Sequence, residues 1–143
     1  MTARYEKLGV QFLYPENWQI RDEEPVSWPR SVSVQSPGGG FWSLMVYRGS
    51  DKSPADLTKE ALSTMQQEYD GLESMEICEE FRSVKTSGYD MSFYCLDLVV
   101  TARALGACLG DQTLLVIWQA EDREFQQLEQ VFRAITTSLL DRC

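Results

Sequence analysis

Four cysteines, scattered carboxylate pairs, a run of three glycines and four tryptophans are the residues through which this chain could do chemistry, and no histidine accompanies them. Without an imidazole, the commonest acid, base and metal ligand near neutral pH is missing. Cys78, Cys95, Cys108 and Cys143 form no Cys-x-x-Cys pair and have no histidine to complete a zinc shell, so no metal site is expected. A nucleophilic cysteine needs a lowered pKa, commonly supplied by a neighbouring histidine, and that partner is absent too. The expected state is buried free thiols, with Cys95 a small core hydrophobe and Cys143 exposed at the terminus.

The other chemistries fare similarly. Serine hydrolysis lacks its Gly-x-Ser-x-Gly elbow. Gly38-Gly39-Gly40 links two strand-like runs instead of opening a helix, and no Gly-Lys-Ser/Thr follows, so it reads as a turn and not as a phosphate cradle. Glu23-Glu24 and Glu79-Glu80 are adjacent residues that would point to opposite faces of a strand, which suits solvated charges better than a catalytic pair. Glu121, Asp122 and Glu124 gather at a helix start, where the helix dipole accounts for them. No catalytic residue, cofactor-binding residue or cofactor is expected, and the reading is of a protein that is not an enzyme.

Binding chemistry is left. Trp28 lies between Pro25 and Pro29 beside the acidic run Asp22-Glu23-Glu24, and an aromatic with a polar rim is a common interface anchor. Asp22, Glu23, Glu24 and Trp28 are therefore the candidate protein-binding residues. Trp42 and Trp118 fall on strongly apolar strands and are expected in the core, with Trp18 plugging it from the N-terminal side.

Twenty-two acidic residues against thirteen basic ones give a formal charge of −9, which repels phosphate backbones and anionic lipid in the absence of a Lys/Arg cluster. No nucleic acid is expected as a partner. No apolar run approaches the ~20 residues that span a bilayer, and residues 1–7 lack the apolar segment of a secretory signal. These features lead to the expectation of a cytoplasmic protein without membrane insertion.

The elements that must hold these residues follow from apolar periodicity. Residues 8–14 read as a strand, Asp22-Glu23-Glu24-Pro25 as a polar loop, and Val32 and Val34 as a strand covered on one face. From Phe41 to Tyr47 both parities are apolar, so burial on both faces is expected. Ser53-Pro54-Ala55-Asp56 opens a helix that stops at Gly71. A half-exposed strand from Met75 to Val84 leads to a turn at Lys85-Thr86-Ser87-Gly88, and the β-prone stretch 89–109 is too long for one strand and should fold back near Leu98. A second strand apolar on both sides covers 113–119. Asp122 caps a closing helix with the stripe Phe125, Leu128, Phe132, Ile135 and Leu139. Two helices and two doubly apolar strands imply an α+β domain over residues 1–143: a three-layer α/β/α sandwich with a mostly antiparallel six- or seven-stranded sheet and one main helix on each face.

The opening Phe12-Leu13-Tyr14-Pro15-Glu16-Asn17-Trp18, the helix start Ser53-Pro54-Ala55-Asp56-Leu57, the Gly88-Tyr89 strand entry and the close from Val131-Phe132 to Ser138-Leu139 resemble the PsbP/Mog-like superfamily, nearest to its bacterial DcrB-like domains. The likeness covers nearly the whole chain and rests on the order of elements. It implies a binding module: members dock on a photosystem or a GTPase, and one bacterial subgroup comprises dimeric chaperones. The metal-binding histidines reported for PsbP have no counterpart here.

The leading expectation is a non-enzymatic protein-binding adaptor or accessory module with a protein partner. The first alternative is a dimeric cytoplasmic chaperone for apolar segments of secreted effectors, prompted by the apolar content of residues 89–120, which predicts a homodimer with a large exposed apolar groove. A small-ligand carrier or enzyme is the second alternative and would need a deep pocket with convergent polar groups.

Overall fold

The computed structural model describes residues 1–7, 9–23, 30–48 and 52–141, with the backbone alone for Glu23. Its elements are β1 (Thr2–Lys7), β2 (Val10–Pro15), β3 (Gln19–Glu23), β4 (Arg30–Gln35), β5 (Phe41–Arg48), α1 (Pro54–Glu68), β6 (Glu73–Phe81), β7 (Val84–Cys95), β8 (Leu98–Leu109), β9 (Gln112–Glu121) and α2 (Asp122–Leu140). The fold is α+β. A seven-stranded sheet runs in the order β3-β4-β5-β9-β8-β7-β6, and β1 and β2 make a separate two-stranded sheet. Every pair is antiparallel. From β5 the chain leaves through α1 to the far edge, then returns by three hairpins until β9 closes on β5 in the middle.

The first helix begins as its sequence dictates, and the second begins one residue earlier than expected. Ser53 caps α1 in a reciprocal box, its Oγ accepting from the Asp56 amide at 3.1 Å while its own amide donates to Asp56 Oδ2 at 3.2 Å. At α2 the cap is Glu121 instead of Asp122: the Glu121 carboxylate accepts from the Arg123 and Glu124 amides, and Asp122 is already helical. The stripe of α2 buries Phe125, Phe132, Ile135 and Leu139 as the periodicity requires.

Alternate residues of β9 enter different hydrophobic clusters. Leu114, Val116 and Trp118 join the larger cluster with Trp42, Leu44 and the apolar side of α2, whereas Ile117 packs with Met91, Phe93, Ala102 and Ala104 beside Ala61, Leu62, Met65 and Tyr69 of α1. Trp42 and Trp118 are fully buried, and Trp18 meets the Phe132 ring edge-on. Trp42 Nε1 donates to Thr136 Oγ1 at 3.0 Å, which satisfies the indole inside the core. The β1–β2 hairpin adds to the larger cluster by stacking Tyr5 on Phe12, with Phe12 tilted against Trp42.

Several expectations are corrected. Thr2–Lys7 is a strand that the periodicity did not reveal, since only Tyr5 in it is buried. Asp22 and Glu23 belong to β3, paired with Val32 and Ser31, and do not lie in a loop. β5 is buried on one face only, because α1 lies against β7, β8 and β9 and leaves Phe41, Ser43, Met45 and Tyr47 half-exposed. The turn after β6 is Arg82-Ser83, with φ of 49° and 70°, and Lys85–Gly88 lies inside β7. Cys78, Cys95 and Cys108 are free thiols, but Cys78 and Cys108 are exposed and Cys95 half-buried; Cys143 lies outside the described residues.

Candidate functional site

Of the residues singled out beforehand, Asp22 serves as a fastener. Its Oδ2 accepts from Tyr5 Oη at 3.0 Å and lies 3.6 Å from Lys7 Nζ, and its side chain is only 14% exposed, so it ties the β1–β2 hairpin to the edge strand β3. Its second oxygen, Oδ1, is buried without a hydrogen-bond partner among the described residues. Glu23 ends β3, while Glu24 and Trp28 lie outside the described residues.

The densest polar arrangement is elsewhere, where β6, β7 and β8 meet α2. Arg103 Nε and Nη2 donate to the two oxygens of Asp90 at 2.6 and 3.0 Å, and its Nη1 donates to Glu79 Oε1 at 2.6 Å. Glu79 also accepts from Arg133 of α2, at 2.7 Å from Nη1 to Oε2, and Arg133 Nε donates to Glu129 at 3.4 Å. Both guanidinium groups lie near rings, Arg103 by Trp118 and Arg133 by Phe81. Burial pushes the Glu79 carboxyl up, but the hydrogen bonds and charges of Arg133 and Arg103 outweigh it and hold the group below the ordinary carboxylate range.

Beside this network runs an open groove of about 310 Å³, bounded by Asp90, Ser92, Thr101, Arg103, Met75 of β6 and Phe125 of α2. Thr101 Oγ1 donates to Asp122 Oδ1 at 3.1 Å near its end. On the same faces of β7 and β8, two residues past the Ser92–Thr101 pair, Tyr94 stands opposite Val99. There the β7–β8 hairpin ends in a turn that leaves Tyr94, Leu96, Leu98 and Val99 at 74%, 93%, 52% and 36% exposure. Met75, at 63%, adds to the apolar exposure on β6.

This arrangement can hold shape and present surface. Both arginines donate to carboxylates, which ties β6, β7, β8 and α2 together. No group of three or more metal-ligating side chains is found among the described residues, and no helix there is long and apolar enough to cross a membrane. Sequence reasoning missed the network because Glu79 and Arg133 are 54 residues apart. One signal was present: Arg103 interrupts the apolar run of β8, and a charge in a covered strand requires a partner.

No known family model matches the chain, and no curated protein matches it. Solved structures do resemble its fold. The cyanobacterial PsbP (CyanoP) of Synechocystis sp. PCC 6803 superposes with a TM-score of 0.67 at 14% identity, covering 96% of this chain and 90% of that one. PA94 of Pseudomonas aeruginosa, a protein of unknown function, gives 0.56 at 11% identity over 99% and 98%. LpqN of Mycobacterium tuberculosis, involved in cell envelope biogenesis, gives 0.55 at 12% over 94% and 87%. At these identities the likeness is one of fold.

Proposed function

We propose that this chain is a non-enzymatic protein-binding module of the PsbP/Mog-like superfamily, in its DcrB-like branch, built as a three-layer α/β/α sandwich and working in the cytoplasm. The observation that carries the reading is the β7–β8 tip. Four large apolar side chains lie in water at the tip of one hairpin, and two of them, Tyr94 and Val99, share the face of the neighbouring groove. Single exposed apolar residues need no explanation, but a cluster on a projecting turn is the form that interface anchors take. The backbone there is strained as well, since Leu96 and Asp97 have φ of 51° and 66°, a region where side chains other than glycine are disfavoured.

Photo-crosslinking tests this. A cross-linker at position 96 should capture a discrete protein from the native extract that a cross-linker at exposed Lys59, on α1, does not, and Tyr94→Glu should abolish the capture. Equal capture from both positions would remove the tip from the interface.

The chaperone alternative draws on a different feature. An apolar groove of about 350 Å³ lies between β2 and α2, lined by Leu13, Tyr14, Pro15, Val131, Ala134 and Ile135. If it shields an apolar client segment, Ala134→Asp should abolish protection of that segment against aggregation while leaving the fold intact. Unchanged protection would count against this use of the groove.

A further inference from the structure

We infer that the free edge of β6 receives an extended, lysine- or arginine-rich segment of a partner protein as an additional strand of the sheet. The inference rests on the protein-binding reading and names the chemistry of the partner. β6 closes the seven-stranded sheet at one side, and among the described residues no strand pairs with its outer edge. Its nine residues keep unbroken register with β7 from Glu73↔Ser92 to Phe81↔Val84, so no bulge bends the edge away. It contains no proline and no lysine. Of the devices that usually stop an edge from pairing, shortness, proline, bulges and charge, only charge is present.

That charge has one sign. Glu73, Glu76 and Glu80 are exposed on β6, and none has an ion-pair partner among the described residues. Glu76 and Glu80 lie on one face, whereas Glu73 and Met75 lie on the face of the groove, whose Asp90 and Glu129 are already paired with Arg103 and Arg133. Such an edge disfavours a second copy of itself: in the full-length antiparallel register Glu76 faces Cys78, but it falls diagonal to Glu76 and Glu80 of the other copy, and like charges across strands are destabilising. It also repels nucleic acid. A polypeptide carrying alternate basic residues meets neither obstacle: its main chain supplies the donors and acceptors that the edge lacks, its cations meet the glutamates, and Met75 with Phe125 offers an apolar seat.

The test uses the full-length protein and a synthetic peptide of the same length as β6, alternating Lys and Val. Hydrogen exchange should slow at alternate β6 amides, those directed outward, when this peptide binds. The same peptide N-methylated on alternate residues keeps its charge, loses its donors and should not bind. The double variant Glu76→Lys/Glu80→Lys, with substitutions confined to exposed side chains, should weaken binding about tenfold or more. Equal binding of the N-methylated peptide, protection elsewhere than β6, or no binding of the Lys-Val peptide each overturns the inference. None of these results alters the cross-linking from position 96, so the two readings can fail separately.

Discussion

Arg103 Nη1 lies 2.6 Å from Glu79 Oε1, and this contact joins β8 to the edge strand β6 across the intervening β7. Because the same guanidinium grips Asp90 on β7, one side chain that is 12% exposed links three strands.

Removing Arg103 should therefore cost more than a surface ion pair. Arg103→Met would leave Asp90 without its bidentate donor and Glu79 with Arg133 alone, a loss expected at about 2–3 kcal/mol in urea unfolding. Arg103→Lys should recover only part of it, since an ammonium cannot reproduce the fork. A loss below about 0.5 kcal/mol for the methionine variant would show the network to be energetically idle.

Stability should fall in acid, and Glu79 should be one cause. Its folded pKa lies below the ordinary value of 4.5, so between the two values the unfolded chain binds more protons. The contribution is complete above the unfolded value and is lost as pH drops through the folded one. In Glu79→Gln the slope of unfolding free energy against pH below about 4.5 should flatten relative to the parent. An identical slope in both would assign the acid sensitivity to other groups.

The β7–β8 turn should trade stability against binding. Leu96 and Asp97 occupy left-handed positions of a two-residue loop that Asn-Gly suits better, so Leu96→Asn/Asp97→Gly should stabilise the fold by about 1 kcal/mol, read as a higher Tm. The same variant should lose the partner captured from position 96. Retention of that partner would mean that Leu96 is not the anchor.

Gly88 should tolerate no side chain. A Cβ there would lie 1.7 Å from the Ala104 carbonyl oxygen, so Gly88→Ala should cost about 3 kcal/mol or more. Gly39, at φ 102° with nothing near its Cβ position, should lose only about 1 kcal/mol on the same change. Thermal melts of the two variants separate backbone crowding from left-handed strain.

The contrast between these glycines explains much of what the sequence displayed and concealed. Gly88 invites a turn reading, yet it sits mid-strand for close approach to β8, while the real turn uses Arg82-Ser83, which has neither the glycine nor the asparagine that positive φ favours. The helix at Ser53-Pro54, the stripe of α2 and the core placement of Trp42 and Trp118 were legible because caps and periodicity are local properties. The fold-back of the long β stretch was legible too, occurring at Leu96-Asp97 near the expected Leu98. β1 was not, because a mostly exposed strand with one buried residue has no apolar period. The Glu79–Arg103–Arg133 network was not, because it unites three distant segments that become neighbours only when β6–β8 and α2 assemble. Asp22 reads in the sequence as part of a polar binding loop, and its tie to Tyr5 is hidden because that partner arrives from a strand that left no trace.

The unequal clusters give the two helices different fates under thermal agitation. α1 buries only Leu57 and Thr58 among its own residues and faces the smaller set of apolar neighbours, whereas α2 sinks five apolar residues into the larger one and buries Thr136 beside them. The first cooperative unit to detach from this molecule should therefore be α1, peeling from β7–β9 well before global melting. A transient species missing that helix would bare Met91, Phe93 and Ala102 to solvent while the larger cluster around α2 stayed closed.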